Sequence, residues 1–172
     1  MPETDFTPNA EEVLSHNIDV AKHFEDADLA AEPNRALAVV ACMDSRLDTF
    51  KTLGLAVGEA HIIRNAGGII TDDVVRSLCL SQRKLGTREI ILVHHTDCGL
   101  QKIDEADFRR ALEAETGLKP RWSLETFADP YADVRQSMRR LSLNPFLLHK
   151  DHIRGFVYDV TDGLLREVGA DC

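Results

Sequence analysis

The 172-residue sequence predicts an α/β fold: a parallel central β-sheet flanked by helices, preceded by an N-terminal helical arm. Three observations predict it. The short apolar runs at residues 36–41 and 89–94 suit strands buried on both faces, as in a parallel sheet. Helical patterns separate the strand-like segments, as a sheet with crossover connections requires. Residues 9–31 carry Val13, Leu14, Ile18, Ala21 and Phe24 at helical spacing between charges.

The elements follow in order. The amphipathic arm runs over residues 9–31 and breaks at Glu32-Pro33-Asn34. The first strand, 36–41, leads straight into Cys42, and a short helix over 50–55 is stopped by Gly54 and Gly58. His61 to Arg64 reads as a second strand, followed by the turn Asn65-Ala66-Gly67-Gly68. Thr71 is placed to cap a helix over 71–85, with Asp72 and Asp73 suited to its dipole and Gly86 closing it. The third strand, 89–94, runs into His95. Helices are expected at 104–116 and 130–143, the latter bearing exposed Arg135, Arg139 and Arg140. A strand pair at 153–160 and 164–168 is joined by Thr161-Asp162-Gly163. The arm, residues 1–33, and one α/β domain, residues 34–172, are expected to form a single unit.

Composition narrows the function classes. The net charge of −9 argues against nucleic acid or an anionic membrane as partner. The longest apolar runs fall far short of the roughly 20 residues of a spanning helix. The acidic start, Met1 to Asp5, lacks an apolar export signal, so a cytoplasmic protein is expected. There, cysteines more often bind metal, react or pack than form disulfides. Of the four, Cys79 is expected as a small core residue beside Val75, Leu78 and Gln82, and the terminal Cys172 as part of a mobile tail.

The other two suggest a metal centre. Ligand sites of such sheets lie outside the carboxyl ends of the strands, where Cys42, residues 65–68, and His95 with Cys98 all fall. Zinc favours thiolate and imidazole, and a catalytic site keeps three protein ligands so that water can take the fourth position. Cys42, His95 and Cys98 supply that set; the blander reading of the local pair is a buried thiol beside a solvated histidine. His94 competes for the ligand role, but successive strand residues face opposite ways, and spacing to Cys98 favours His95. In Cys42-Met43-Asp44-Ser45-Arg46, the guanidinium can hold Asp44 ionised beside the metal; the alternative is an ordinary surface ion pair.

These residues resemble the β-class carbonic anhydrases, most of all their short bacterial and archaeal members. The motifs are Cys-x-Asp-x-Arg (Cys42, Asp44, Arg46), Arg-Asn-Ala-Gly (Arg64 to Gly67) and His-x-x-Cys-Gly (His95, Cys98, Gly99), in the family's order, within a likeness running over residues 36–160. Leu100 stands where the family often has a second glycine. The resemblance implies a mixed, mainly parallel sheet, a homodimer or homotetramer, and zinc on Cys42, His95 and Cys98. It implies Asp44 and Arg46 as catalytic dyad, with Asp44 as a fourth ligand in a closed state, and substrate contacts at Gly67, Gly68 and Gly99. The implied reaction is reversible hydration of carbon dioxide to bicarbonate by zinc-activated water. Alternatives are hydrolysis of carbon disulfide or carbonyl sulfide on the same scaffold, and a closed, inactive zinc site.

Overall fold

The computed structural model describes residues 7–169, so Cys172 and the first six residues lie outside the described part. The chain separates into two compact units, Met1–Ala30 and Ala31–Cys172. Helix α1 (Ala10–Ala21) has no buried residue, and Val13, Leu14 and Ile18 are exposed along it. It is shorter than the 9–31 pattern suggests. Its last turn tightens, with the amides of Lys22, His23 and Phe24 bonding three residues back to Asp19, Val20 and Ala21.

The second unit is built on β1 (Leu37–Cys42), β2 (Ala60–Asn65), β3 (Glu89–His95), β4 (Ile153–Tyr158) and β5 (Leu165–Val168). They form one sheet in the order β2-β1-β3-β4-β5. The first four run parallel, and β5 pairs antiparallel with β4 through the expected tight connection. The sheet is therefore mixed and mainly parallel. Its helices are α2 (Thr49–Leu53), α3 (Asp72–Leu85), α4 (Glu105–Thr116) and α5 (Pro130–Ser142), and 3-10 turns cover Ala66–Gly68 and Gly99–Lys102. Thr71 caps α3 by accepting from the Val74 amide, and Gly86 ends it in the left-handed conformation.

Strand β1 is buried along its whole length, which explains its unbroken apolar sequence. Ala38 and Val40 join Ile90 and Leu92 of β3, Val74 and Leu78 of α3, and Val134 and Leu141 of α5 in one core layer. Val39, Ala41 and Val93 join Leu47, Ile69 and Leu100 in the layer on the other face. Cys79 is partly buried against the first layer, at its edge rather than inside it.

Glycines let two close approaches happen. A Cβ on Gly155 of β4 would meet Val134 and Met138 of α5, so the missing side chain lets the helix lie on the sheet. Gly68 has φ 74°, and a Cβ there would sit 3.0 Å from the Cys42 amide nitrogen and 3.1 Å from the Ala41 carbonyl carbon. Neither backbone atom can yield without moving the end of β1. Gly68→Ala should therefore cost about 2–4 kcal/mol, from left-handed strain plus overpacking, read as a lowered urea midpoint at unchanged slope.

Candidate metal centre

Strands β1 and β3 are neighbours in register, Ala41 beside Val93, so their carboxyl ends finish side by side. The turn after β3 brings Cys98 back to the same edge. As a result one ligand-type atom from each of Cys42, His95 and Cys98 lies within 4.8 Å of the other two, and all three side chains are buried. The pleat sorts the histidines. His94 points to α5, where its Nε2 lies 2.7 Å from Asp133 Oδ2 and its ring tilts against Phe127. His95 points the other way, into the cysteine pair.

The hydrogen bonds of His95 fix which nitrogen is available. Its Nδ1 lies 2.8 Å from the Thr96 carbonyl, which only an N–H can satisfy, so Nε2 carries the lone pair. That Nε2 is buried and has no hydrogen-bond partner, a costly arrangement unless a metal takes the lone pair. The sulfurs tell a similar story. The Cys98 thiol donates to the Cys42 sulfur and holds the Cys42 pKa well below its usual range, while the same bond, helped by burial, pushes the Cys98 thiol up. Burial opposes charging His95, but the Cys42 sulfur and the Thr96 carbonyl outweigh it and raise its pKa. Two soft sulfurs and one imidazole nitrogen fit zinc, and they leave a fourth tetrahedral position to a further ligand.

Asp44 lies next to this ligand group, paired with Arg46. Arg46 grips Asp44 on two parallel bonds, Nε to Oδ1 at 2.9 Å and Nη2 to Oδ2 at 2.8 Å, and its own amide donates to Oδ1. The guanidinium holds the Asp44 carboxyl far below the usual carboxylate range. Asp44 Oδ2 is 3.6 Å from His95 Nε2, so the carboxylate reaches the edge of the metal position while paired with Arg46.

The glycines separate into two kinds. Gly99 is exposed beside Cys98, but Gly67 and Gly68 are buried beneath the end of β1. Leu100 fills the space next to Gly67, where a Cβ would come within 2.5 Å of its Cδ1. A leucine at that position thus plugs the loop that the buried glycines open.

Arg64 and Gln101, outside the expected site residues, hold the ligand loops. Arg64 donates from Nε to the Cys42 carbonyl at 3.0 Å and from Nη2 to the Asp44 carbonyl at 2.7 Å. Gln101 accepts the Cys98 amide at 2.9 Å and donates to the Ala128 carbonyl at 3.1 Å. The signal for Gln101 is in the sequence, as a Gln three residues after a cap position. For Arg64 it is parallel register, which sets Arg64 against Ala41.

Comparisons with known proteins agree with this geometry. A family model described as carbonic anhydrase matches residues 37–138. Beta-carbonic anhydrase 1 of Mycobacterium tuberculosis is 52% identical over 158 residues, 92% of this chain and 96% of that protein. The crystal structure of a carbonic anhydrase from Streptococcus mutans superposes with a TM-score of 0.88 at 38% identity, covering 95% of this chain and 99% of that one. A carbon disulfide hydrolase of Acidithiobacillus thiooxidans is 30% identical over 154 residues, 77% of each chain.

Zinc titration of metal-free protein should saturate at one zinc per chain and raise the melting temperature. Because Cys98 keeps its proton in the metal-free site, zinc must displace that proton, so apparent affinity should rise with pH by about tenfold per unit for each proton released. Isothermal titration in buffers of different ionisation enthalpy measures that proton count.

Proposed function

The chain belongs to the β-carbonic anhydrase family, and from that premise we propose that Cys42, His95 and Cys98 hold the zinc while Asp44 and Arg46 form the catalytic dyad. The protein is a zinc-dependent carbonic anhydrase (a carbonate dehydratase, hence a lyase) that interconverts carbon dioxide and bicarbonate. The observation that carries the assignment of residues is the bare, buried His95 Nε2 facing two cysteines, with Asp44 Oδ2 at 3.6 Å.

Zinc, when bound, supplies a Lewis acid that brings the pKa of water in its open position toward 7. The residues of the chain do the rest. Two thiolates lower the positive charge at the site more than imidazoles would, so water activation leans on Asp44. Held ionised by Arg46, Asp44 accepts a hydrogen bond from the reacting water and orients it toward carbon dioxide. The same carboxylate, were it released from Arg46, would be the residue to hold zinc as a fourth ligand and close the site. Gly99, exposed beside Cys98, is the expected glycine that meets substrate directly. Gly67 and Gly68 act through the loop they shape.

Arm α1 contributes a contact between copies of the chain, as homodimer or homotetramer. Its exposed Val13, Leu14 and Ile18, with exposed Phe24 just beyond its end, favour this reading, because an amphipathic stripe of that kind gains from a surface to cover. Reduced thiols at the centre fit a cytoplasmic setting. No helix among the described residues is long and apolar enough to cross a membrane.

A second reading, hydrolysis of carbon disulfide, is favoured by the relative from Acidithiobacillus. Stopped-flow carbon dioxide hydration, run beside a hydrogen sulfide release assay on carbon disulfide, separates the two. Wild-type protein should hydrate carbon dioxide with negligible sulfide release; the reverse would establish the second reading. Cys98→Ser and Asp44→Ala should each lower kcat/KM by about 100-fold or more, and wild-type activity in either would refute that residue's role. Light scattering of a variant with Val13, Leu14 and Ile18 changed to Ser should show a smaller assembly than wild type; an unchanged mass would remove the arm from the interface.

A further inference from the structure

A second carboxylate grips the far edge of Arg46. Its Nη1 donates to Asp97 Oδ2 at 2.9 Å and its Nη2 donates to the Asp97 backbone carbonyl at 3.1 Å. The guanidinium is thus a flat plate held along two edges, by Asp44 on one side and Asp97 on the other. Asp97 lies in the turn between His95 and Cys98 with φ 57°, a left-handed conformation that aspartate tolerates better than most residues. That twist turns carbonyl and carboxylate together toward Arg46. The remaining Asp97 oxygen, Oδ1, is 2.5 Å from Lys102 Nζ at the end of the 3-10 turn that follows Cys98. Asp44, Arg46, Asp97 and Lys102 form a line of alternating charge that starts beside the metal position and ends on the surface.

An isolated exposed Arg–Asp pair contributes about 0–1 kcal/mol, too little to keep a long side chain in one place. The Arg46 side chain is 46% exposed, and water competes for each of its donors. A network that engages both edges of the guanidinium restricts it far more than either pair alone. Asp44 has two competing places to rest, on Arg46 or on the metal, so whatever fixes Arg46 biases that choice.

We propose that Asp97, steadied by Lys102, is a positioning residue that locks the Arg46 guanidinium and thereby keeps Asp44 off the metal and in its working orientation. The inference rests on the Asp44–Arg46 dyad proposed above. Asp97 itself needs no contact with substrate.

A double-mutant cycle on the zinc-loaded enzyme tests it, with Asp97→Asn, Arg46→Ala and the double variant. Asparagine keeps the left-handed backbone and the carbonyl, and removes the charge. Asp97→Asn should lower kcat/KM by about tenfold, in the range typical of partners behind a metal site's ligands, with zinc content unchanged. In the Arg46→Ala background the same change should cost nothing further, because its effect passes through Arg46. In metal-free protein the Arg46 Nε–H proton should exchange faster in Asp97→Asn than in wild type, a readout that general destabilisation elsewhere does not produce at constant melting temperature. Wild-type activity and exchange in Asp97→Asn, with Arg46→Ala impaired, would overturn this inference alone. An equal loss in both backgrounds would also overturn it. Wild-type activity in Arg46→Ala would overturn the dyad and this inference together.

Discussion

Three buried polar side chains meet at one sheet edge: two sulfurs and one imidazole nitrogen, whose donor atoms lie within 4.8 Å of one another. Without a cation, Cys98 keeps its proton against the Cys42 sulfur, and the buried His95 Nε2 has no hydrogen-bond partner. Such a cluster is poorly satisfied as protein alone and well satisfied around zinc. Much of the surrounding structure follows from that constraint. Parallel β1 and β3 bring Cys42 and His95 to one edge, the turn after β3 returns Cys98 to it, and Gly68 lets a loop pass within van der Waals distance of the Cys42 backbone.

Around that centre the chain separates holding from acting. Arg64 and Gln101 bond backbone groups of the ligand loops, and the Thr96 amide donates to the Tyr158 carbonyl to tie the His95 turn to β4. These residues fix where the donors stand. Asp44 and Arg46 sit at the open side, more exposed and joined by charge rather than packing. Arg46 holds the Asp44 carboxylate on two parallel charge-assisted bonds, which fixes its orientation at the edge of the ligand group.

Much of this was legible in the sequence because chemistry and pattern coincide there. Continuous burial makes β1 apolar from Leu37 to Cys42, and pleating alone separates His94 from His95. Caps at Thr71 and Gly86 mark α3 to the residue. Less legible were features set by contact across the fold. The arm helix ends at Ala21 although apolar spacing continues, since spacing does not record where a last turn tightens. The burial of Gly67 and Gly68 comes from packing across the fold, and Leu100 looks like a departure until its side chain is seen beside Gly67. Arg64 was visible as a motif residue, but its grip on the carbonyls of Cys42 and Asp44 needs the register of β2 against β1.

The most direct measurement of the central claim is the zinc K-edge X-ray absorption spectrum of the loaded protein at neutral and mildly alkaline pH. Two sulfurs at about 2.3 Å and two nitrogen or oxygen neighbours at about 2.0–2.1 Å would match Cys42, Cys98, His95 and one oxygen ligand. A shell with no sulfur, or with three or four sulfurs, would contradict it.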